Sequence, residues 1–150
     1  MIKMQYDNKQ LRIAVVGLGR IGWQFHLPAI TSHQGFRLAA VADPLPERLE
    51  EAKNTFGAKG YCDYEQMLTV EKPDVVVIAS PTKFHCAQIV KAFECGCDVF
   101  CEKPVVLNLS EMDIIISSQK KHGRKFMAYQ PHRSFSDIVC LKHIISLGLL

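Results

Sequence analysis

Leu11-Arg12-Ile13-Ala14-Val15-Val16-Gly17-Leu18-Gly19-Arg20-Ile21-Gly22 decides how the rest of this chain is read. A β-branched run that turns on three glycines and enters a helical pattern is how a dinucleotide-binding βαβ unit begins. The first glycine permits the tight turn. The second lets backbone approach a pyrophosphate with no Cβ between them, and the third lets helix and strand pack closely. Unpaired N–H groups at the start of the helix would face the diphosphate, with the helix dipole adding partial positive charge.

Outward from that turn the chain alternates strand and helix. The first helix is expected over 20–32, with Ile21, Phe25 and Ala29 as its sheet-facing stripe and a bend at Pro28. His26 and His33 are read as solvent-facing or capping residues. The second strand, Phe36 to Ala42, ends at Asp43, and a helix entered through Pro46 stops at Gly57. A short strand over 60–62 follows, then a brief helix capped by Asp63 and running to Leu68. The fourth strand, 74–79, is apolar on both faces, as a central parallel strand should be. Thr82 is read as the N-cap of a fourth helix with Cys86, Val90 and Phe93 buried. A fifth strand over 98–101 runs into Glu102-Lys103-Pro104. A fifth helix, with Ser110 and Asp113 spaced as a capping box, ends on Lys120-Lys121-His122 before Gly123. The sixth strand, 125–128, leads through Tyr129-Gln130-Pro131-His132-Arg133 to a last helix over 136–147.

Six strands joined by right-handed crossovers predict an α/β fold: a doubly wound parallel (Rossmann) sheet in the order 3-2-1-4-5-6. Ligands of such sheets bind at the carboxyl edge, near the switch point between strands one and four. The strand exits there carry Gly19, Asp43, Ser80-Pro81-Thr82, Glu102-Lys103 and Gln130. Asp43 stands about twenty residues beyond Gly22, where an acidic residue accepts hydrogen bonds from the adenosine ribose. A turn cap before Pro44 is the competing reading.

With 150 residues the chain suits one domain, and 48% hydrophobic with 22% charged residues is a globular composition. The net charge of +3 is spread without a basic run, so no nucleic-acid partner is expected. The first ten residues lack the apolar core of a signal peptide, and no stretch is long and apolar enough to span a membrane, which predicts a cytoplasmic protein. Six cysteines are therefore expected to stay reduced. Cys95, Cys97 and Cys101 lack a zinc-like spacing and are read as packing residues, with no metal site.

Glu102-Lys103-Pro104 after a fifth strand resembles the EKP signature of the Gfo/Idh/MocA oxidoreductases, the family of glucose–fructose oxidoreductase and inositol dehydrogenase. Gly17 to Gly22, Asp43 and Pro81-Thr82-Lys83-Phe84-His85 match that family in the same order, over essentially the whole chain. The resemblance implies an enzyme that moves hydride to or from a sugar, polyol or related hydroxyl or carbonyl compound with NAD. NADP is the alternative cofactor, because Arg20 or Arg48 could pair with its extra phosphate. It implies Lys103 as the catalytic residue at the reacting oxygen, with Glu102 orienting the nicotinamide ribose. It further implies a cofactor site of Gly17, Leu18, Gly19, Arg20, Ile21, Gly22, Asp43, Ser80, Pro81, Thr82, His85, Glu102, Lys103 and Gln130. Satisfying loop backbone groups is the competing reading of His85 and His132, and Arg133, which resembles a family arginine, carries less weight than either.

Family members continue into a second α+β domain that holds substrate and builds a homo-oligomer. Residues 1–150 are accordingly expected to be the cofactor half, the last helix leading toward that domain and leaving apolar surface for it. A stand-alone NAD-binding regulatory or interaction module is the competing class. A methyltransferase on the same fold is a third, against which Lys103 argues.

Overall fold

In the computed structural model, which describes residues 10–149, strand β1 (Leu11–Val16) lies at the centre of a six-stranded parallel sheet. The sequence reading of residues 1–9 and of Leu150 falls outside the described residues. Strands β2 (Phe36–Ala42) and β4 (Val75–Ile78) flank β1. Beyond them lie β3 (Gly60–Tyr61) on one side, and β5 (Asp98–Cys101) then β6 (Phe126–Ala128) on the other. The order β3-β2-β1-β4-β5-β6 is the one the alternating pattern predicts.

Alternate residues of the central strands feed two apolar layers. Ala14, Val16, Val76, Ile78, Val99 and Cys101 pack with α3 (Tyr64–Glu71), α4 (His85–Glu94) and α5 (Leu109–His122). Ile13, Val15, Val41 and Val77 pack on the opposite face with α1 (Leu27–Ser32) and α2 (Pro46–Phe56). Both faces are covered, which is why β4 and residues 13–16 of β1 read as unbroken apolar runs. Cys97 and Cys101 are completely buried within this packing, and burial pushes both thiols up to about 12.

Four local expectations are corrected. The helix after the glycine turn does span 20–32, but its middle, Gly22–His26, is a π turn in which the Leu27 N–H reaches the Gly22 carbonyl. The wider turn changes the phase, so Gly22, His26, Leu27 and Ile30 are buried while Phe25 and Ala29 face outward. Thr82 does not cap α4. It opens a 3-10 turn, Thr82–Phe84, that rotates α4 so that His85, Ile89, Ala92 and Phe93 form its buried stripe. The cap of α5 is Asn108, whose side chain accepts the Glu111 N–H at 2.9 Å while Glu111 reaches back to the Leu107 N–H at 2.8 Å. Two residues upstream of Ser110, that reciprocal pair satisfies two donors at once.

Helix α6 (Ser136–Ser146) buries none of its side chains, and Val139, Leu141 and Ile145 are exposed along it. Among the described residues no helix is long and apolar enough to cross a membrane.

Candidate nucleotide site

The pairing register decides what meets at the carboxyl edge. Val16 is level with Ala42 and Ile78, Ile78 with Cys101, and Cys101 with Ala128. The next residues, Gly17, Asp43, Ala79, Glu102 and Tyr129, therefore form one row. Each N–H in that row closes the ladder on a neighbouring strand, at 2.7–3.1 Å from the carbonyls of Ala42, Tyr61, Val16, Ile78 and Cys101. Distant stretches of sequence become neighbours by this geometry alone.

Gly17 has φ +90°, and a Cβ there would lie 2.5 Å from the Ser80 nitrogen. The turn leaves β1 pressed against the exit of β4, with no room for a side chain. A Cβ on Gly22 would strike the Gly17 carbonyl oxygen. Gly19 is different, because a Cβ there would meet no atom within 4 Å. The space over Gly19 is left open by the fold, next to the start of the first helix.

That space continues into a cleft of about 670 Å³. Of the residues expected at the site, Gly17, Gly19, Arg20, Ile21, Asp43, Ser80 and Pro81 line it. Asp43 is almost wholly buried. Its Oδ2 accepts the Leu18 N–H at 2.8 Å and the Arg48 guanidinium at 3.2 Å, and its Oδ1 accepts the Leu45 N–H at 3.0 Å. Asp43 thus stands on the cleft wall and also caps the turn before Pro44. Arg48, named from sequence only as a possible partner of the NADP phosphate, lines the cleft, as do Tyr64 and Gln88, which the sequence reading missed. Ser80 Oγ donates to Gln88 Oε1 at 2.5 Å, and the Tyr64 hydroxyl donates to the Gln88 carbonyl at 2.9 Å. Burial raises the Tyr64 phenol, which keeps it a neutral donor in that wall.

The remaining expected residues, Leu18, Gly22, Thr82, His85, Glu102, Lys103 and Gln130, lie outside that cleft. Leu18 and Gly22 shape the turn from behind. His85 is 1% exposed, with Nδ1 3.0 Å from the Pro104 carbonyl and Nε2 2.7 Å from the Ser80 carbonyl. It clamps the exit of β4 to the loop after β5, and both ring nitrogens are occupied by backbone. Glu102 is buried against His26, Nε2 donating to Oε1 at 2.9 Å, and its Oε2 accepts the Lys103 N–H at 3.2 Å. His26, expected at the surface, is instead 6% exposed. The rings of Phe100 and Tyr129 stand edge-on to it at 5.9 and 5.2 Å. The Lys103 side chain is exposed beside this pair, and Gln130 is exposed at the start of the 3-10 turn Pro131–Ser134. The open space over Gly19, the Asp43 carboxylate on the cleft wall and the exposed Lys103 side chain thus all lie along the carboxyl edge.

The family model described as "Oxidoreductase family, NAD-binding Rossmann fold" matches residues 11–130. The chain is 30% identical over 151 residues to D-glucoside 3-dehydrogenase of Escherichia coli K12, covering 99% of this chain and 43% of that protein. It is 37% identical over 118 residues to scyllo-inositol 2-dehydrogenase (NAD(+)) of Bacillus subtilis 168, covering 76% and 34%. The crystal structure of scyllo-inositol dehydrogenase from Lactobacillus casei, with bound NAD(H) and scyllo-inositol, superposes with a TM-score of 0.87 at 30% identity. It covers 93% of this chain and 42% of that one. The chain therefore spans less than half the length of each of these relatives.

Proposed function

This chain belongs to the Gfo/Idh/MocA oxidoreductase family, whose matching domain is an NAD-binding Rossmann fold, and we propose that it is the cofactor half of a dehydrogenase of sugars or polyols. The pyrophosphate of NAD lies over Gly19 and the first helical N–H groups. Asp43 takes the adenosine ribose, and Ser80, Pro81 and Thr82 line the approach to the nicotinamide half. Glu102 and Gln130 flank the nicotinamide ribose, and Lys103 reaches the reacting hydroxyl or carbonyl oxygen.

One observation carries the reading. The only glycine of the turn whose Cβ position is open is Gly19, at the mouth of a cleft whose far wall is Asp43. An anion approaching backbone amides needs that opening, and a purely structural turn does not. NAD, when bound, supplies the hydride acceptor, and its reduced form the donor. The chain's own part is to hold the dinucleotide extended along the sheet edge and to present the Lys103 ammonium group for proton exchange with the substrate oxygen. A second domain of the kind its longer relatives carry closes over the substrate.

Calorimetric titration with NAD, NADH and ADP-ribose tests the reading. Saturable one-to-one binding of all three is expected, with ADP-ribose displacing NADH. S-adenosylmethionine binding in their place overturns it in favour of a methyltransferase.

A further inference from the structure

We propose that His26 is a positioning residue for the nicotinamide end of the cofactor. Through Glu102 it ties the carboxylate that precedes Lys103 to the helix whose first turn faces the pyrophosphate. The proposal rests on the nucleotide reading above and adds to it a residue outside the glycine turn and outside the EKP signature.

Four features of the chain converge on this role. His26 comes from the first helix and Glu102 from the exit of β5, yet both are buried and Nε2 lies 2.9 Å from Oε1. A carboxylate withdrawn from water is costly unless a donor holds it, so this pair either works or is a liability against two apolar side chains of the same size. The π turn at Gly22–His26 brings His26 inward onto Glu102, and such turns are frequent at functional sites. Glu102 is gripped from both sides, by His26 at one oxygen and by the Lys103 N–H at the other. Phe100 and Tyr129 fence the imidazole edge-on. The carboxylate is left with one orientation, and the backbone that carries Lys103 hangs from it.

Titration of the chain with NADH and with ADP-ribose, which lacks the nicotinamide, separates positioning from a plain structural role. His26→Leu is expected to weaken NADH at least fivefold and ADP-ribose less than twofold. His26→Gln, whose amide still donates to Glu102, is expected to restore NADH to within twofold of the unsubstituted chain. Equal weakening of both ligands, or an unchanged affinity for NADH, overturns the proposal. Should His26→Leu fail to fold, Glu102→Gln carries the same comparison, and an unselective effect there overturns it too. If the unsubstituted chain binds neither ligand, the nucleotide reading fails and this role with it. Binding of ADP-ribose with no NADH-selective loss removes this role alone.

Discussion

Arg48 Nη1 lies 3.2 Å from Oδ2 of Asp43, on a carboxylate that already accepts the N–H groups of Leu18 and Leu45. Of the two arginines that line the cleft, Arg20 and Arg48, Arg48 is thus engaged by a carboxylate whose charge would repel a 2′-phosphate.

NAD is therefore expected to bind more tightly than NADP. Asp43→Asn keeps the size and an acceptor oxygen but removes the charge, which frees Arg48 to meet a phosphate. The NAD:NADP affinity ratio should fall by roughly tenfold, about 1.4 kcal/mol. Calorimetry on both proteins checks this. Tighter NADP binding by the unsubstituted chain would show that Arg48 outweighs Asp43.

Gly17 and Gly19 separate folding from binding within one turn. Gly19→Val adds a side chain that meets no protein atom within 4 Å, so the melting curve should stay close to that of the parent. NAD binding should weaken by more than tenfold, about 1.4 kcal/mol or more, because the branch occupies the pyrophosphate position. Gly17→Ala instead forces a Cβ to 2.5 Å from the Ser80 nitrogen at φ +90°. Strain of that kind costs roughly 1–3 kcal/mol before the clash is counted, so this variant should lose stability first. Circular dichroism melts beside calorimetry distinguish the two outcomes.

Much of this was legible in sequence because the strands are buried on both faces and punctuated by Gly17, Asp43, Gly96 and Glu102. Apolar runs between turn residues define strand order once crossovers are right-handed. Periodicity failed where the helical pitch changes. Ile21, Phe25 and Ala29 have α spacing, but a π turn carries 22–26, so the buried partner of Glu102 was hidden in an apparently outward position. The 3-10 turn at Thr82–Phe84 displaced the stripe of α4 in the same way and sank His85 into the fold. Capping was misread for a simpler reason: Asn108–Glu111 and Ser110–Asp113 have identical spacing, and only the chain direction before the helix chooses between them.

Glu71 predicts the acid limit of the fold. It joins the end of α3 to Tyr61 and Lys59 at 2.5 Å each and to Arg12 at 3.4 Å. The Lys59 bond first, then that of Tyr61, holds the carboxyl below its ordinary value of 4.5. A carboxyl that gives up its proton more easily folded than unfolded contributes stability above its unfolded pKa, and that contribution is lost as pH falls through the folded one. Urea midpoints should therefore fall as the buffer is taken from pH 5 to pH 3. The Glu71→Gln variant should show a lower midpoint at pH 7 and a flatter decline. Parallel curves for the two proteins would show that other carboxylates set the acid limit.

Lys103 carries the last prediction. Its side chain is exposed one residue past Glu102 of the carboxyl-edge row, and the described residues place no salt-bridge partner on it. Lys103→Ala should therefore leave the affinity for NAD within about threefold, less than about 0.7 kcal/mol. Its effect should fall on chemistry. Holding a substrate carbon against the nicotinamide can supply roughly 7–11 kcal/mol of a barrier, and the residues described here put no surface opposite the Lys103 ammonium group to do that holding. Residues 1–150 alone should accordingly bind NAD and turn over sugars or polyols no faster than background. In a longer form with a substrate domain, Lys103→Ala should lower kcat by roughly 10²–10⁴-fold, the usual range for a lost proton-transfer group, with the NAD affinity still intact. Stopped-flow absorbance at the reduced-nicotinamide band, run on both lengths with and without the substitution, gives all four rates. Fast, Lys103-dependent turnover by residues 1–150 would show that the site is complete within them or is completed by self-association.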